Sequence, residues 1–144
     1  MSYDLRRPAT ESEWATYHEI RRDVLFERRG RGDAYDPQHP DDLRPSNHPL
    51  VLWRGGEGLG VIRVDIDTEA AVFRRVAVRQ HVQRQGHGRQ LLASAEQFAR
   101  RHGCTRIDSH VDVEAVGFYE RCGFSIAGEV TPTAATVLMT KRLF

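Results

Sequence analysis

Residues 83–89 are Gln-Arg-Gln-Gly-His-Gly-Arg, two glycines among cations and amides, and the apolar pair Leu91-Leu92 follows closely. The apolar segment "AAVFRRVAV" precedes this stretch and an amphipathic pattern succeeds it. A strand should therefore end here, a bare-backbone turn intervene, and a helix begin at once. Unpaired N–H groups at the positive end of a helix dipole make an anion site. Gly86 and Gly88 let an oxyanion approach the backbone without meeting a Cβ, while Arg84 and Arg89 add charge-assisted contacts from the rim. Two familiar phosphate sites do not fit. A P-loop ends in Gly-Lys-Ser/Thr, and Lys141 is the only lysine; a dinucleotide fingerprint needs a third glycine near position 91, which is Leu91.

The elements that must position this turn can be traced along the chain. "YDLRRPA" is a short strand candidate. Thr10 and Glu13 have capping-box spacing, and Trp14, Tyr17, Ile20, Val24 and Leu25 form an apolar stripe, so a helix should run from about residue 11 to a stop at Gly30 and Gly32. Pro37, Pro40, Pro45 and Pro49 exclude a long regular element from "DAYDPQHPDDLRPSNHP". "LVLWR" and "GVIRVDID" are strands, and "GGEGLG" between them is a hairpin turn. Leu91, Leu92, Ala95, Phe98 and Ala99 give the helix after Gly88 its apolar face, and Arg100, Arg101 and His102 suit its negative end before Gly103. "CTRIDSHV" is a strand, Asp112 an N-cap for the short helix "VEAVGFYERC", and "FSIAGEV" and "TVLMTKRLF" are two final strands. The order predicts an α/β (mixed α+β) fold with helices covering a sheet.

Length and composition set the bounds. The chain of 144 residues suits one domain, residues 1–144, and 40% hydrophobic with 28% charged residues suits a soluble globular protein. "MSYDLRRPAT" lacks the apolar stretch of a signal peptide and no apolar run has membrane-spanning length, so a cytoplasmic location without membrane partners is expected. Cys104 and Cys122 have no paired spacing and the histidines do not cluster, so neither a disulfide framework nor a metal site is expected. Charge is unevenly placed. Arg74 to Arg106 holds eight arginines against Glu96 alone, whereas Asp33 to Glu69 holds eight acids against Arg44, Arg54 and Arg63. No nucleic-acid reader motif accompanies the arginines, which argues against a nucleic-acid partner.

Gln83-x-x-Gly86-x-Gly88, after "VAV" and before "LL", resembles the acyl-coenzyme A pyrophosphate loop of the GNAT-type N-acetyltransferases. "DVEAVGFYERCGF" at 112–124 resembles the second signature of that superfamily, a polar residue, an alanine and Phe-Tyr ahead of Gly-Phe. The likeness is specific over residues 72–124 and architectural elsewhere. It implies a GNAT-like central mixed sheet in which strands at 71–78 and 104–111 run parallel and splay apart, with acetyl-coenzyme A in the gap as co-substrate. Val76, Ala77 and Val78 would pair with the pantetheine amides. Gln83, Arg84, Gln85, Gly86, His87, Gly88 and Arg89 would hold the pyrophosphate, with the rings of His87 and His81 simply exposed. Asp112, Ala115 and Phe118 would complete the cofactor side, Asp112 in place of a frequent asparagine and Phe118 mainly as packing. Tyr119 would protonate the departing thiolate, and the N–H of Val78 or its neighbour would face the oxyanion.

The base is less clearly marked. A lysine-like amine, with a pKa of about 10.4, must lose a proton before it attacks. Many relatives carry a glutamate early on the central strand where this chain has Val72 and Phe73. His110 is the first substitute, Asp65, Asp67 and Glu69 come behind it, and a water relay stays open. The expected reaction is acetyl transfer to a primary amine of a small molecule or peptide by direct attack in a ternary complex. The acids Asp33, Asp36, Asp41 and Asp42 of the proline-rich stretch favour a cationic acceptor. A different acyl donor or acceptor, or a non-catalytic coenzyme A sensor, are the alternatives. The C-terminal strands are edges suited to a homodimer.

Overall fold

A computed structural model describes residues 2–26 and 35–144. The expected helix stops Gly30 and Gly32, and the acid Asp33, lie outside the described residues. Seven strands form one sheet: β1 (Tyr3–Arg6), β2 (Asn47–Arg54), β3 (Glu57–Asp67), β4 (Ala70–Val78), β5 (Arg106–Asp112), β6 (Ser125–Ile126) and β7 (Thr136–Arg142), in the order β1-β2-β3-β4-β5-β7-β6. The helices are α1 (Glu11–Arg21), α2 (His87–Arg101) and α3 (Val116–Arg121). The fold class is the expected mixed α/β one.

Each element follows from local chemistry. Thr10 caps α1, its Oγ1 accepting from the Glu13 N–H at 3.2 Å, while the Glu13 carboxylate accepts from the Ala9 N–H at 2.8 Å and so pins the incoming chain. The α-helical part of this element ends at Arg21, earlier than the stripe predicts, and a π-helical turn over Arg22–Phe26 follows. That wider turn keeps Val24 and Leu25 against Tyr17, Ile20, Val51, Val61 and Ala77. The β2–β3 hairpin turns on Gly55 and Gly56 alone, both at positive φ (59° and 84°), and the remainder of "GGEGLG" continues into β3. Pro49 falls in the part of β2 that precedes its pairing with β1 at Val51, an edge position where a missing N–H is tolerated.

Two cores flank the sheet. α1 covers one face through Tyr17 and Ile20, and α2 covers the other with Leu91, Leu92, Ala95 and Ala99 against Leu50, Ile62, Phe73, Ile107 and Met139. The sheet is antiparallel except at β4 and β5, which pair in parallel from Ala70↔Arg106 to Phe73↔Ser109 and then part. Two features drive the parting. Between the pairs Arg63↔Arg74 and Val61↔Ala77, β4 uses one residue more than β3, a bulge in which Arg75 sits at φ 57°. Beyond Ser109, β5 pairs only with β7. A fork results, bounded by residues 74–78 on one side and His110, Val111 and Asp112 on the other.

Two histidines tie the fold to pH. Burial, then the neighbouring His102 and Arg7 charges, depresses the pKa of His48, whose ring lies 5.1 Å from those of Phe98 and His102; burial likewise depresses His18, hydrogen-bonded to Tyr35. The unfolded chain therefore binds more protons than the fold. This stability is present above about pH 6.5 and is lost as pH falls towards the lower folded values. The melting temperature should drop between about pH 7.5 and about pH 5, and His48→Phe should flatten part of that slope; a slope unchanged in the variant would remove His48 from the account.

Candidate active site

The stretch that opened the sequence analysis forms the mouth of the fork. After β4 the chain makes a 3₁₀ turn at Gln80–Val82, and the amide Nε2 of Gln83 donates back to the carbonyl of Val78 at 2.9 Å, closing a loop. Gln83 thus shapes this loop with its own side chain. Arg84 (φ 66°) and Gly86 (φ 87°) take left-handed conformations that turn the backbone into α2. Among the described residues, none of the backbone N–H groups of residues 84–89 has an acceptor in the protein. Arg84 and Arg89 are exposed and make no ion pair with any described acid. A Cβ built on Gly86 meets nothing within 4 Å, so the space beside this glycine is open. A row of N–H groups, the positive end of a fifteen-residue helix and two free guanidiniums fit a diphosphate.

His87 departs from expectation. Its side chain is buried, and Nδ1 shares a hydrogen bond with the Tyr3 hydroxyl at 2.9 Å, the rings meeting edge to face. At the first position of α2 its Cβ points back across the sheet towards β1, so the ring anchors the helix while the backbone N–H stays in the donor row. Asp112 also differs: it ends β5, and its side chain makes no capping bond to the 3₁₀ turn Val113–Ala115 that leads into α3. Ala115 and Phe118 pack against the α2-side core, and a Cβ on Gly88 would lie 3.3 Å from Phe118 Cζ, which explains why the second glycine admits the α3 ring to the first turn of α2.

Tyr119 lies 7% exposed among Phe118, Phe124 and the core of the α2 side. Burial pushes its phenol up to about 12, opposed by the Ser109 hydroxyl. Ser109, a residue the sequence reading passed over, is itself buried and donates to the carbonyl of Phe73 at 3.1 Å, at the last pair before the fork opens. Its only signal is a polar residue at the inward register shared with Ile107 and Val111. His110, on the opposite face of β5, is exposed and makes no hydrogen bond or ion pair among the described residues. The reserve carboxylates are placed differently. Asp65 is held by Arg63 at 2.8 and 2.9 Å and by Arg74 at 3.0 Å, which suits a counter-ion better than a base, while Asp67 and Glu69 sit exposed at the β3–β4 turn, away from the fork.

Of the acids expected to face a cationic acceptor, Asp36, Asp41 and Asp42 have partners within the protein. Asp42 is 2% exposed and accepts from Arg21 at 2.8 and 2.9 Å and from the Tyr17 hydroxyl at 3.2 Å, with Arg63 at 3.7 Å. Asp41 pairs with Arg44 at 3.2 Å, and Asp36 accepts from the Gln38 N–H at 2.9 Å. The physical reason is proximity to α1: the 3₁₀ turn Pro40–Leu43 docks Asp42 onto the Arg21 end of that helix, where a desolvated guanidinium needs a counter-charge.

A parallel pair that forks over a helix N-terminus is matched by sequence. The family model described as acetyltransferase (GNAT) family matches residues 9–124. The chain belongs to the GNAT acetyltransferases. YyaT of Bacillus subtilis (strain 168), an uncharacterised protein, is 23% identical to this GNAT protein over 142 residues, covering 97% of this chain and 96% of YyaT. The crystal structure of an N-acetyltransferase candidate from Lactobacillus plantarum superposes with a TM-score of 0.80 at 27% identity, covering both chains completely. The PaiA N-acetyltransferase of Thermoplasma acidophilum, solved with coenzyme A, shares the fold at a TM-score of 0.77 and 16% identity, with 99% of each chain covered. The fold and family are thus those of an acyltransferase.

Two substitutions at one glycine test the donor row. Gly86→Ala and Gly86→Val both bear the strain of a left-handed φ, roughly 1–2 kcal/mol for alanine and more for the β-branched valine, so each affinity is read beside the variant's melting temperature. Only the valine intrudes far into the space above the N–H groups. By calorimetric titration, coenzyme A affinity should fall at least ~10-fold further in the valine variant than in the alanine variant, a difference of about 1.4 kcal/mol. Equal losses would show that backbone strain alone is at work.

Proposed function

We propose that this GNAT protein transfers the acetyl group of acetyl-coenzyme A to a primary amine by direct attack within a ternary complex. The observation that carries this reading is the fork, where β4 and β5 part after Phe73↔Ser109 and the row of unpartnered N–H groups at 84–89 begins one loop beyond. The diphosphate would rest on that row between Arg84 and Arg89, and the pantetheine arm would run along the part of β4 that lacks β5 as a partner, at Val76, Ala77 and Val78. The complex of the Thermoplasma relative with coenzyme A supports the same donor here.

The chain's own residues then divide the work. A freed backbone N–H on β4 beside the thioester carbonyl, at Val78 or its neighbour, would stabilise the oxyanion. Tyr119 keeps its proton throughout the neutral range because burial raises its pKa, so it can deliver that proton as the thiolate leaves. His110, unpartnered and exposed on the other arm of the fork, takes the ammonium proton directly or through water. The test is titration of coenzyme A, followed by free-thiol release from acetyl-coenzyme A over a panel of amines. Micromolar binding with amine-dependent thiol release is the expected result; binding with no release for any amine would favour a coenzyme A sensor, and no binding would end the proposal.

A further inference from the structure

The α1 face of the fork carries a dense and unbalanced set of charges. Arg21, Arg63, Arg74 and Arg75 converge there around two carboxylates, Asp42 and Asp65. Arg21 and Arg63 are buried, Arg21 bound to Asp42 through one terminal nitrogen with its Nε unpartnered among the described residues, Arg63 bound to Asp65 and 3.7 Å from Asp42, and Arg74 spends its Nε on Asp65. Among the described residues of this cluster, four guanidiniums against two carboxylates leave a formal excess of positive charge, and it falls on Arg75. This residue makes no ion pair or hydrogen bond among the described residues, and its guanidinium lies 5.8 Å from the ring centroid of Phe26. Its surface is open to solvent, yet crowding by the surrounding chain, then the Arg21, Arg63 and Arg74 charges, lowers its pKa from the ordinary arginine value.

The backbone at this point is equally unusual. Arg75 adopts φ 57° in the β4 bulge, a conformation costly for a long L side chain where glycine or asparagine would serve. Strain of this kind persists at places where a side chain must be aimed. The aim here is specific. Phe73, two residues earlier, is the last residue of β4 to pair with β5, so Arg75 stands at the base of the fork. Ala77 and Val61, which follow the bulge, pack under α1, whereas Phe73, Val111 and Tyr119 belong to the α2 side. A donor seated on the N-terminus of α2 leaves the α1 side as the approach for the nucleophile, the side that also carries His110.

We infer that Arg75, backed by the Arg21–Arg63–Arg74 cluster, is a binding site for an anionic group on the acceptor, so that the substrate is an amine that also bears a carboxylate or a phosphate. This rests on the acetyl-transfer reading above and reverses the charge expected from the acids of residues 33–49. A guanidinium with no partner among the described residues offers a two-pronged contact to either anion, and the excess field draws the anion in while holding its ammonium end towards the fork. A polyamine, by contrast, would meet uncompensated like charge.

The experiment follows thiol release with matched acceptors: an amino acid against its amide, and glucosamine 6-phosphate against glucosamine, with spermidine as a cationic reference. The anionic member of at least one pair should show kcat/KM about tenfold or more above its neutral partner, and whichever pair responds identifies carboxylate or phosphate as the group recognised. Arg75→Gly should abolish that preference by raising the acceptor KM. Because it relieves the positive φ, its melting temperature should hold or rise, and its KM for acetyl-coenzyme A should not move; Arg75→Lys should retain part of the preference. Preference for the neutral amines or spermidine, or an equal loss for every acceptor in Arg75→Gly, would overturn the inference while leaving acetyl transfer intact. Absence of thiol release with every amine would instead remove both.

Discussion

Asp42→Asn is expected to destabilise the protein by about 3–5 kcal/mol, the range for removing one partner from a buried charge network. Asp42 is the counter-charge for Arg21 at 2.8 Å and lies 3.7 Å from Arg63, and the three side chains are almost fully sequestered from water. Asparagine keeps the shape but turns an N–H₂ group or a neutral oxygen towards guanidiniums that cannot lose their protons, leaving Arg21 desolvated without an anion and Arg63 with Asp65 alone. For a chain of this size the melting temperature should fall by roughly 10 °C or more. The neighbouring Asp41→Asn provides the contrast, because its pairing with Arg44 is exposed and should be worth under about 1 kcal/mol. Thermal melts of the two variants side by side decide the matter: near-equal midpoints would mean that the Arg21–Asp42–Arg63 cluster carries little of the fold's stability. The same contrast shows why a variant altered at both acids would be a poor probe of acceptor charge, since its loss of activity would report unfolding.

Tyr119→Phe is expected to lower kcat by about 10²-fold or more with coenzyme A affinity unchanged, the size of effect general acid catalysis supplies. The substitution keeps the ring that packs on Phe118 and Phe124 and removes only the hydroxyl, so the melting temperature should move little. The raised pKa sharpens the expectation. With the phenol pushed up to about 12, the protonated form persists across the assay range, so the wild-type kcat profile should show no alkaline limb from this group below about pH 10. His110→Gln should instead slow amine-dependent turnover while coenzyme A affinity and the melting temperature hold. Steady-state kinetics and a calorimetric titration check both arms; full turnover in the Phe variant would mean that the thiolate departs without a proton from this residue.

How far these features could be read in advance depended on how local they are. The turn from β4 into α2 is contained in about a dozen consecutive residues. Strand pattern, glycine and helix pattern dictate it without help from elsewhere, which is why the donor row at 84–89 and the apolar stripes of Trp14, Tyr17 and Ile20 or Leu91, Leu92 and Ala95 were legible. The order of elements and the mixed sheet follow from the same periodicities. The early end of α1 was not legible, because a π turn keeps the same apolar residues inward and leaves the hydrophobic pattern nearly unchanged.

The pairing of the charges was not legible, for a complementary reason. In sequence, the acids of residues 33–49 and the arginines from Arg74 on form two separate blocks, and a block suggests a face of one sign. Folding pairs groups that are far apart in the chain, Arg21 with Asp42 and Arg74 with Asp65, so a block of like charges in the sequence is not a block of like charges on the surface. His87 was read as exposed because nothing in "QGHGR" names Tyr3, its partner on the first strand. Ser109 became visible only once the register placed it opposite Phe73 at the fork. By itself the sequence determined the family, the elements and the glycine turn from β4 into α2, because those are backbone conformations set by near neighbours. Tertiary structure alone decided which charges are paired inside the protein and which are left exposed, because in a desolvated interior a charge is defined by its partner, and the partner is chosen by the fold.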